Sequence, residues 1–141
     1  MSVRSVRIFG DPVLRERARE VTSVDDTLRQ LVADMRETMQ AYGGVGLAAN
    51  QVGVAQRLLV VDVPVEEDAR ARHALINPVV RRRAGSVSGE EGCLSVPGLW
   101  EDVTRAERLV VTGLDEEGRE VELAVEGYLA RAIQHEMDHL D

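Results

Sequence analysis

Between about Asp25 and Tyr42 the apolar residues Leu28, Leu31, Val32, Met35 and Met39 recur three or four positions apart. That spacing gathers them on one stripe of a helix, and Gly43-Gly44 supplies its stop signal. The same period returns at the far end of the chain, where Leu129, Ala132, Ile133, Met137 and Leu140 predict a second amphipathic helix over Tyr128–Leu140 that packs onto a core. Between the two helices the pattern changes. Arg57–Val63 is a short aliphatic, β-branched run that reads as a buried strand closed by Pro64. Ala74–Val80 is also extended, with Pro78 marking an edge, a bulge or a ladder end. Arg108–Leu114 and the alternating Arg119–Val125 flank Asp115-Glu116-Glu117-Gly118 and predict an antiparallel hairpin. Val6-Arg7-Ile8 is a weak extended segment, Asp11-Pro12 opens a short helix through about Ala18, and the acidic Glu66 to Asp68 reads as a loop. Strands gathered between a long N-terminal helix and a late one favour α+β over a doubly wound sheet. The expected fold is antiparallel or mixed sheets packed around the C-terminal helix, in one domain over residues 1–141.

Composition narrows the class. At 141 residues, with 44% apolar and 30% charged residues, the chain is long enough for one real core and balanced as a globular protein is. One Trp, two Tyr and one Phe make that core aliphatic. A net charge of -8 argues against a generally nucleic-acid-binding surface, and Arg81-Arg82-Arg83 reads as a solvated strand edge that can still meet phosphate. A lone cysteine forms no internal disulfide, and there is no secretory or 18-residue apolar segment. A soluble, cytoplasmic, monomeric protein with no membrane role is the expectation.

Candidate chemistry lies at the end of the chain, in His135-Glu136-Met137-Asp138-His139. On a helix His135 and His139 project within about 40° of each other, close enough to share one metal ion. Glu136 beside them suits proton transfer in a hydrolytic site. Zinc peptidases built on this pattern take a third ligand downstream, and nothing follows Asp141 here. A third ligand is therefore expected upstream, where Cys93 is the only thiol. The alternative for Cys93 is a small buried hydrophobe. Its surroundings, Glu90 to Gly98, are bounded by Gly and Pro, which permits close backbone approach. A further glycine-rich stretch, Gly43 to Gly53, follows a helix and precedes a strand, the wrong order for a nucleotide loop. Its Gln51 offers an amide that could stabilise an oxyanion; the alternative is a tight turn with a surface glutamine.

Gly44-Val45-Gly46-Leu47-Ala48-Ala49-Asn50-Gln51, Glu91-Gly92-Cys93-Leu94-Ser95 and His135-Glu136-Met137-Asp138-His139 resemble, in that order, the three signature motifs of the peptide deformylases. The resemblance covers the chain from the first helix onward. It implies that Cys93, His135 and His139 ligate one divalent metal ion, Fe2+ natively, with Zn2+, Ni2+ or Co2+ able to replace it. Glu136 would be the general base and later acid, and Gln51 with the backbone N–H of Leu94 would hold the oxyanion. The implied reaction removes the formyl group from N-formylmethionyl nascent peptides and releases formate.

By the family's layout Gly44, Val45 and Gly46 would line an extended cleft, with Tyr128, Ala132 and Arg131 beside the methionine pocket. Glu91 with Arg105 would brace the cysteine loop, and Asp138 would anchor the helix. Trp100 falls near the cleft mouth as a rim contact or a cover for the core, and His73 receives no role. Typical bacterial members continue past the second metal histidine into a helix that in some docks on the ribosome. A catalytic domain lacking that extension, with at most transient ribosome contact, is expected here. The competing readings are a general zinc peptidase, and a ribosome-associated protein whose ion is structural.

Overall fold

The structure, a computed structural model, describes residues 2–8, 10–66 and 69–141. Helix α1 spans Asp26–Ala41. The Asp25 carboxylate caps it by accepting from the Leu28 N–H at 2.9 Å, and Gly43 at φ +71° ends it, as the glycine pair predicts. The expected long N-terminal helix is not clearly matched: α1 has 16 residues and begins only at Asp26. Before it stands a single 3-10 turn, Pro12–Arg15, capped by Asp11. This turn stops short of Ala18 because it buries no residue that would reward a longer helix. The backbone N–H of Ala18 donates instead to Leu140 O. Val6-Arg7-Ile8 forms no strand, and its Arg7 N–H bonds to Gln51 O.

Among the described residues seven strands follow: β1 Gly46–Ala48, β2 Leu58–Glu66, β3 Ala69–Ala84, β4 Val87–Cys93, β5 Val96–Arg105, β6 Arg108–Leu114 and β7 Glu120–Glu126; α2, Gly127–Leu140, comes after them. A five-stranded sheet runs in the order β1-β2-β3-β6-β7, and β4-β5 form a separate two-stranded sheet. All of these pairings are antiparallel, which settles the antiparallel-or-mixed expectation, with one isolated parallel bridge between Arg19 and Gln56. The predicted hairpin is β6-β7, where the Asp115 carboxylate accepts from the N–H groups of Glu117 and Arg119, and Gly118 takes φ +79°.

Pro64 does not close β2, which runs on to Glu66. β1 pairs only with residues 59–61 of β2, so the missing N–H of Pro64 falls on an edge that β1 leaves open. Of the acidic stretch read as a loop, Glu66 ends β2, while Glu67 and Asp68 lie outside the described residues. Pro78 falls in a register irregularity between Ile76 and Val79, as its position predicts. The adjoining Asn77 takes φ +53°, and its amide bonds both N–H and C=O of Val21.

Alternation along β2 explains why that run is almost wholly apolar. Leu58 and Val60 join Leu47, Ala74 and Ile76 in one buried cluster with Leu31, Val32, Met35 and Met39 of α1. Leu59, Val61 and Val63 join Leu75 and Val111 in another with Leu129, Ile133, Met137 and Leu140 of α2. The two helices thus cover opposite faces of one sheet.

Candidate metal centre and cleft

The helix α2 turns Ile133, Met137 and Leu140 into the core. This leaves His135 and His139 one turn apart on a flank, their rings edge to face with centroids 5.1 Å apart. Cys93 ends β4 at the tight turn into β5. Its Sγ lies 3.3 Å from His139 Nε2, and the ligating atoms of Cys93, His135 and His139 all fall within 4.8 Å of one another. The structure therefore brings together the three ligands named from sequence, all half-buried.

Glu91 organises the cluster from behind. Its carboxylate accepts from His135 Nδ1 at 2.9 Å, which leaves Nε2 of that ring as the free ligand atom. It also accepts from Arg105 Nε at 3.1 Å and Nη2 at 2.9 Å, and from Arg131 Nη1 at 2.6 Å. Burial alone would raise its pKa; the donors from Arg105, His135 and Arg131 outweigh this and hold it at about 2. Arg105 reaches on to the exposed Asp138. Arg131, expected beside the methionine pocket, lines the cleft with its guanidinium buried: it donates also to Val87 O at 2.7 Å and Val103 O at 2.9 Å. It thereby ties both strands of the β4-β5 hairpin to α2.

On the other side of the cluster sits Glu136, 5% exposed, whose Oε1 has no hydrogen-bond partner among the described residues. Burial, then the nearby negative charge of Glu91, pushes its pKa up to about 8. A Cβ on Gly46 would lie 2.5 Å from Glu136 Oε2, so any side chain there would displace the carboxylate. Gln51 is no surface turn residue. It is buried on the 3-10 helix Ala49–Val52; its Oε1 accepts from the Ala48 N–H at 2.9 Å, and its Nε2 donates to Ser95 Oγ at 3.1 Å and toward Cys93 Sγ at 3.5 Å. Burial raises the pKa of the Cys93 thiol. Burial and then His135 lower that of His139 to about 4, so its imidazole is neutral at pH 7, the form that binds metals. One thiol sulfur and two imidazole nitrogens beside a partnerless carboxylate oxygen fit a borderline-soft divalent ion.

A cleft of about 520 Å³ opens over this cluster. Gly44, Val45, Gly46, Gln51, Leu94, Tyr128, Ala132 and Glu136 all line it, with Cys93 and His135. His139 lies behind Cys93 and is not part of the wall. His73 stands on β3 opposite Val61, outside the cleft, and has no part in it.

Three buried polar residues at the site were not singled out from sequence. Asn50 donates its side-chain amide to His139 O, Ser95 receives Gln51, and Gln134 bonds both N–H and C=O of Ala106. Asn50 and Ser95 stand inside the motifs, which was the available signal; the direction of their side chains is a tertiary fact.

The family model described as "Polypeptide deformylase" matches residues 3–141. The chain is similar to the peptide deformylase of Alkalilimnicola ehrlichii, at 51% identity over all of this chain and 79% of that one. It is also similar to that of Thermodesulfovibrio yellowstonii, at 43% identity over all of this chain and 86% of that one. Among solved structures, the peptide deformylase of Ehrlichia chaffeensis in complex with actinonin superposes with a TM-score of 0.95 at 43% identity, covering 99% of this chain and 84% of that one. That of Thermus thermophilus does so with a TM-score of 0.91 at 51% identity, covering 99% and 81%.

Proposed function

The chain belongs to the polypeptide deformylase family and is an enzyme of that kind, and we propose that it hydrolyses the formyl group from N-formylmethionyl nascent peptides through the Cys93, His135, His139 and Glu136 cluster. The observation that carries this reading is the buried Glu136 carboxylate, with one oxygen unpartnered, beside three metal-ligating side chains at a cleft. A structural ion would need no such group.

Cys93, His135 and His139 would hold one divalent ion, natively ferrous iron and replaceable by zinc, nickel or cobalt, whose Lewis acidity makes a water an effective nucleophile near neutral pH. Glu136, which lines the cleft beside the three ligands with one oxygen unpartnered, would accept the proton of the attacking water and later deliver it to the leaving amine. Gln51 Nε2, aimed by the bond from Ala48 N–H to its Oε1, and the Leu94 N–H donate to the formyl oxygen as negative charge develops on it. Gly44, Val45 and Gly46 leave room for an extended peptide backbone, and Val45, Tyr128 and Ala132 supply apolar surface for the methionine side chain. Glu91, braced by Arg105 and Arg131, fixes the His135 ring. Residues 1–141 act as a single catalytic domain. A monomer working in the cytoplasm, in passing contact with the ribosome, belongs to the same reading; no helix among the described residues is long and apolar enough to cross a membrane.

The test supplies the purified protein with ferrous iron or nickel under anaerobic conditions and measures formate from a formyl-Met peptide, with the acetyl peptide as control. No formate from protein with a full complement of metal would overturn the proposal. Replacing Glu136→Ala should abolish turnover while the metal stays bound; loss of the metal instead would reassign Glu136 as a ligand.

A further inference from the structure

Residues 2–8 form neither helix nor strand, yet every second amide among them is taken up by α1. The N–H of Ser2 donates to Asp34 Oδ1 at 2.8 Å, that of Arg4 to Thr38 Oγ1 at 2.8 Å, and that of Val6 toward Tyr42 Oη at 3.5 Å. These acceptors stand four residues apart along α1 and its C-cap. Two extended residues advance about 6.6 Å and four helical ones about 6 Å, so segment and helix run in step and each donor meets its acceptor. Covering the core does not explain the arrangement. Val6 packs on the α1 cluster, but Val3 and Ile8 remain 50% and 61% exposed.

What this strap delivers is Arg7. Its N–H donates to the backbone O of Gln51 at 2.7 Å, and its guanidinium lies over Gly53, where an added Cβ would stand 2.9 Å from Nη2. Gly53, at φ +86°, ends the 3-10 turn Ala49–Val52 that carries Gln51. A four-residue turn of this type has poor hydrogen-bond geometry of its own and needs support from outside. Asn50 ties it to α2 through His139 O, and Arg7 holds it from the opposite end of the chain. The Gln51 side chain is fixed at Oε1 by the Ala48 N–H and its main chain by the Arg7 N–H, and together these set the direction of Nε2.

We propose, on the basis of the deformylation reading above, that the N-terminal segment belongs to the oxyanion site: Arg7 is a positioning residue that fixes the main chain of Gln51 and so the aim of its amide at the formyl oxygen. Arg7 itself is not part of the cleft wall.

The test is a double-mutant cycle between Arg7→Pro and Gln51→Ala on the metal-loaded enzyme, with kcat and KM measured on formyl-Met-Ala-Ala amide. Proline removes the Arg7 N–H and suits an extended segment. Gln51→Ala should lower kcat by about a hundredfold, as loss of an oxyanion donor does, and Arg7→Pro by about tenfold, with KM and metal content unchanged. In the Gln51→Ala background Arg7→Pro should cost less than about twofold, because there is no amide left to aim. Equal losses in both backgrounds, or loss of metal, overturn the proposal and leave the deformylase reading standing. No formate from the parent enzyme overturns that reading and with it the role given to Gln51. Should Arg7→Pro fail to fold, Arg7→Ala, which loses only the guanidinium over Gly53, enters the same cycle with the same criterion.

Hydrogen exchange supplies a readout without turnover. In Arg7→Pro the amides of Ala48, Gly53 and Val54, which donate to Gln51 Oε1, Asn50 O and Ala49 O, should exchange about tenfold faster, while those of β2 stay as in the parent. Acceleration of β2 to the same degree would make Arg7 a general stabiliser and overturn the assignment.

Discussion

A buried carboxylate with one oxygen unpartnered survives only where the packing around it permits no retreat, and for Glu136 part of that packing is a hydrogen atom, the side chain of Gly46. Gly46→Ala would place a methyl 2.5 Å from Glu136 Oε2 and displace the carboxylate. Formate release should fall by about a hundredfold, the usual consequence of an ångström of misplacement, with an unchanged far-ultraviolet circular dichroism spectrum. Full activity in that variant would mean that the position of Glu136 does not matter. At this scale much was legible in the sequence, because ligand chemistry limits which residue types can serve: Cys93, His135 and His139 do converge, and Gln51 does lie beside them. What Asn50, Ser95 and Gln134 do was not legible, since an amide or hydroxyl suits a turn, a cap or a buried bond equally well.

Among the elements, the β4-β5 hairpin carries Cys93 without strong strand tendencies of its own. β4 reads Val-Ser-Gly-Glu-Glu-Gly-Cys, with two glycines, no regular apolar alternation and no fully buried residue. A two-stranded sheet of this kind is marginal alone, and this one is held by Arg131 reaching Val87 O and Val103 O, one on each strand. Its absence from the sequence reading has this physical cause, just as the three residues of β1 are too few to show a period. The helices and the β6-β7 hairpin were visible because each turns a regular apolar face into the core, the helices onto the sheet and the hairpin, through Leu109, Val111, Val121, Leu123 and Val125, toward the cluster that includes α2. Arg131→Leu removes the tie and leaves Glu91 with one guanidinium fewer. Unfolding in urea should show a loss on the order of 3 kcal/mol, as for a broken buried ion pair. Limited proteolysis should then cut first within residues 87–105.

At the scale of the whole molecule, one sheet is covered by a helix on each face, and the N-terminal segment is laid along α1. There the Asp34 carboxylate accepts from the Ser2 N–H at 2.8 Å, Arg4 Nε at 3.1 Å and Gln30 Nε2 at 2.9 Å. The Gln30 bond foremost, and with it those from Ser2 and Arg4, outweigh burial and hold its pKa below the ordinary 3.8. A carboxyl lowered on folding contributes stability that is complete above its unfolded pKa and is lost as pH falls through its folded one. The free energy of unfolding should therefore decline below about pH 3.8, and Asp34→Asn should make that decline shallower while lowering stability at neutral pH. A variant with the same acid limb as the parent would remove Asp34 from the account. The other end of the chain is fastened as well: Leu140 O accepts from Ala18 N–H and Arg57 Nη1, and His139 O from Asn50. Helix ends ordinarily fray, so their amide hydrogens exchange with solvent long before those of the core. In α2 the last turn cannot open without also releasing the segments around Ala18, Asn50 and Arg57. Its amides should exchange as slowly as those of β2, which makes the spacing of His135 and His139 a property as persistent as the fold itself.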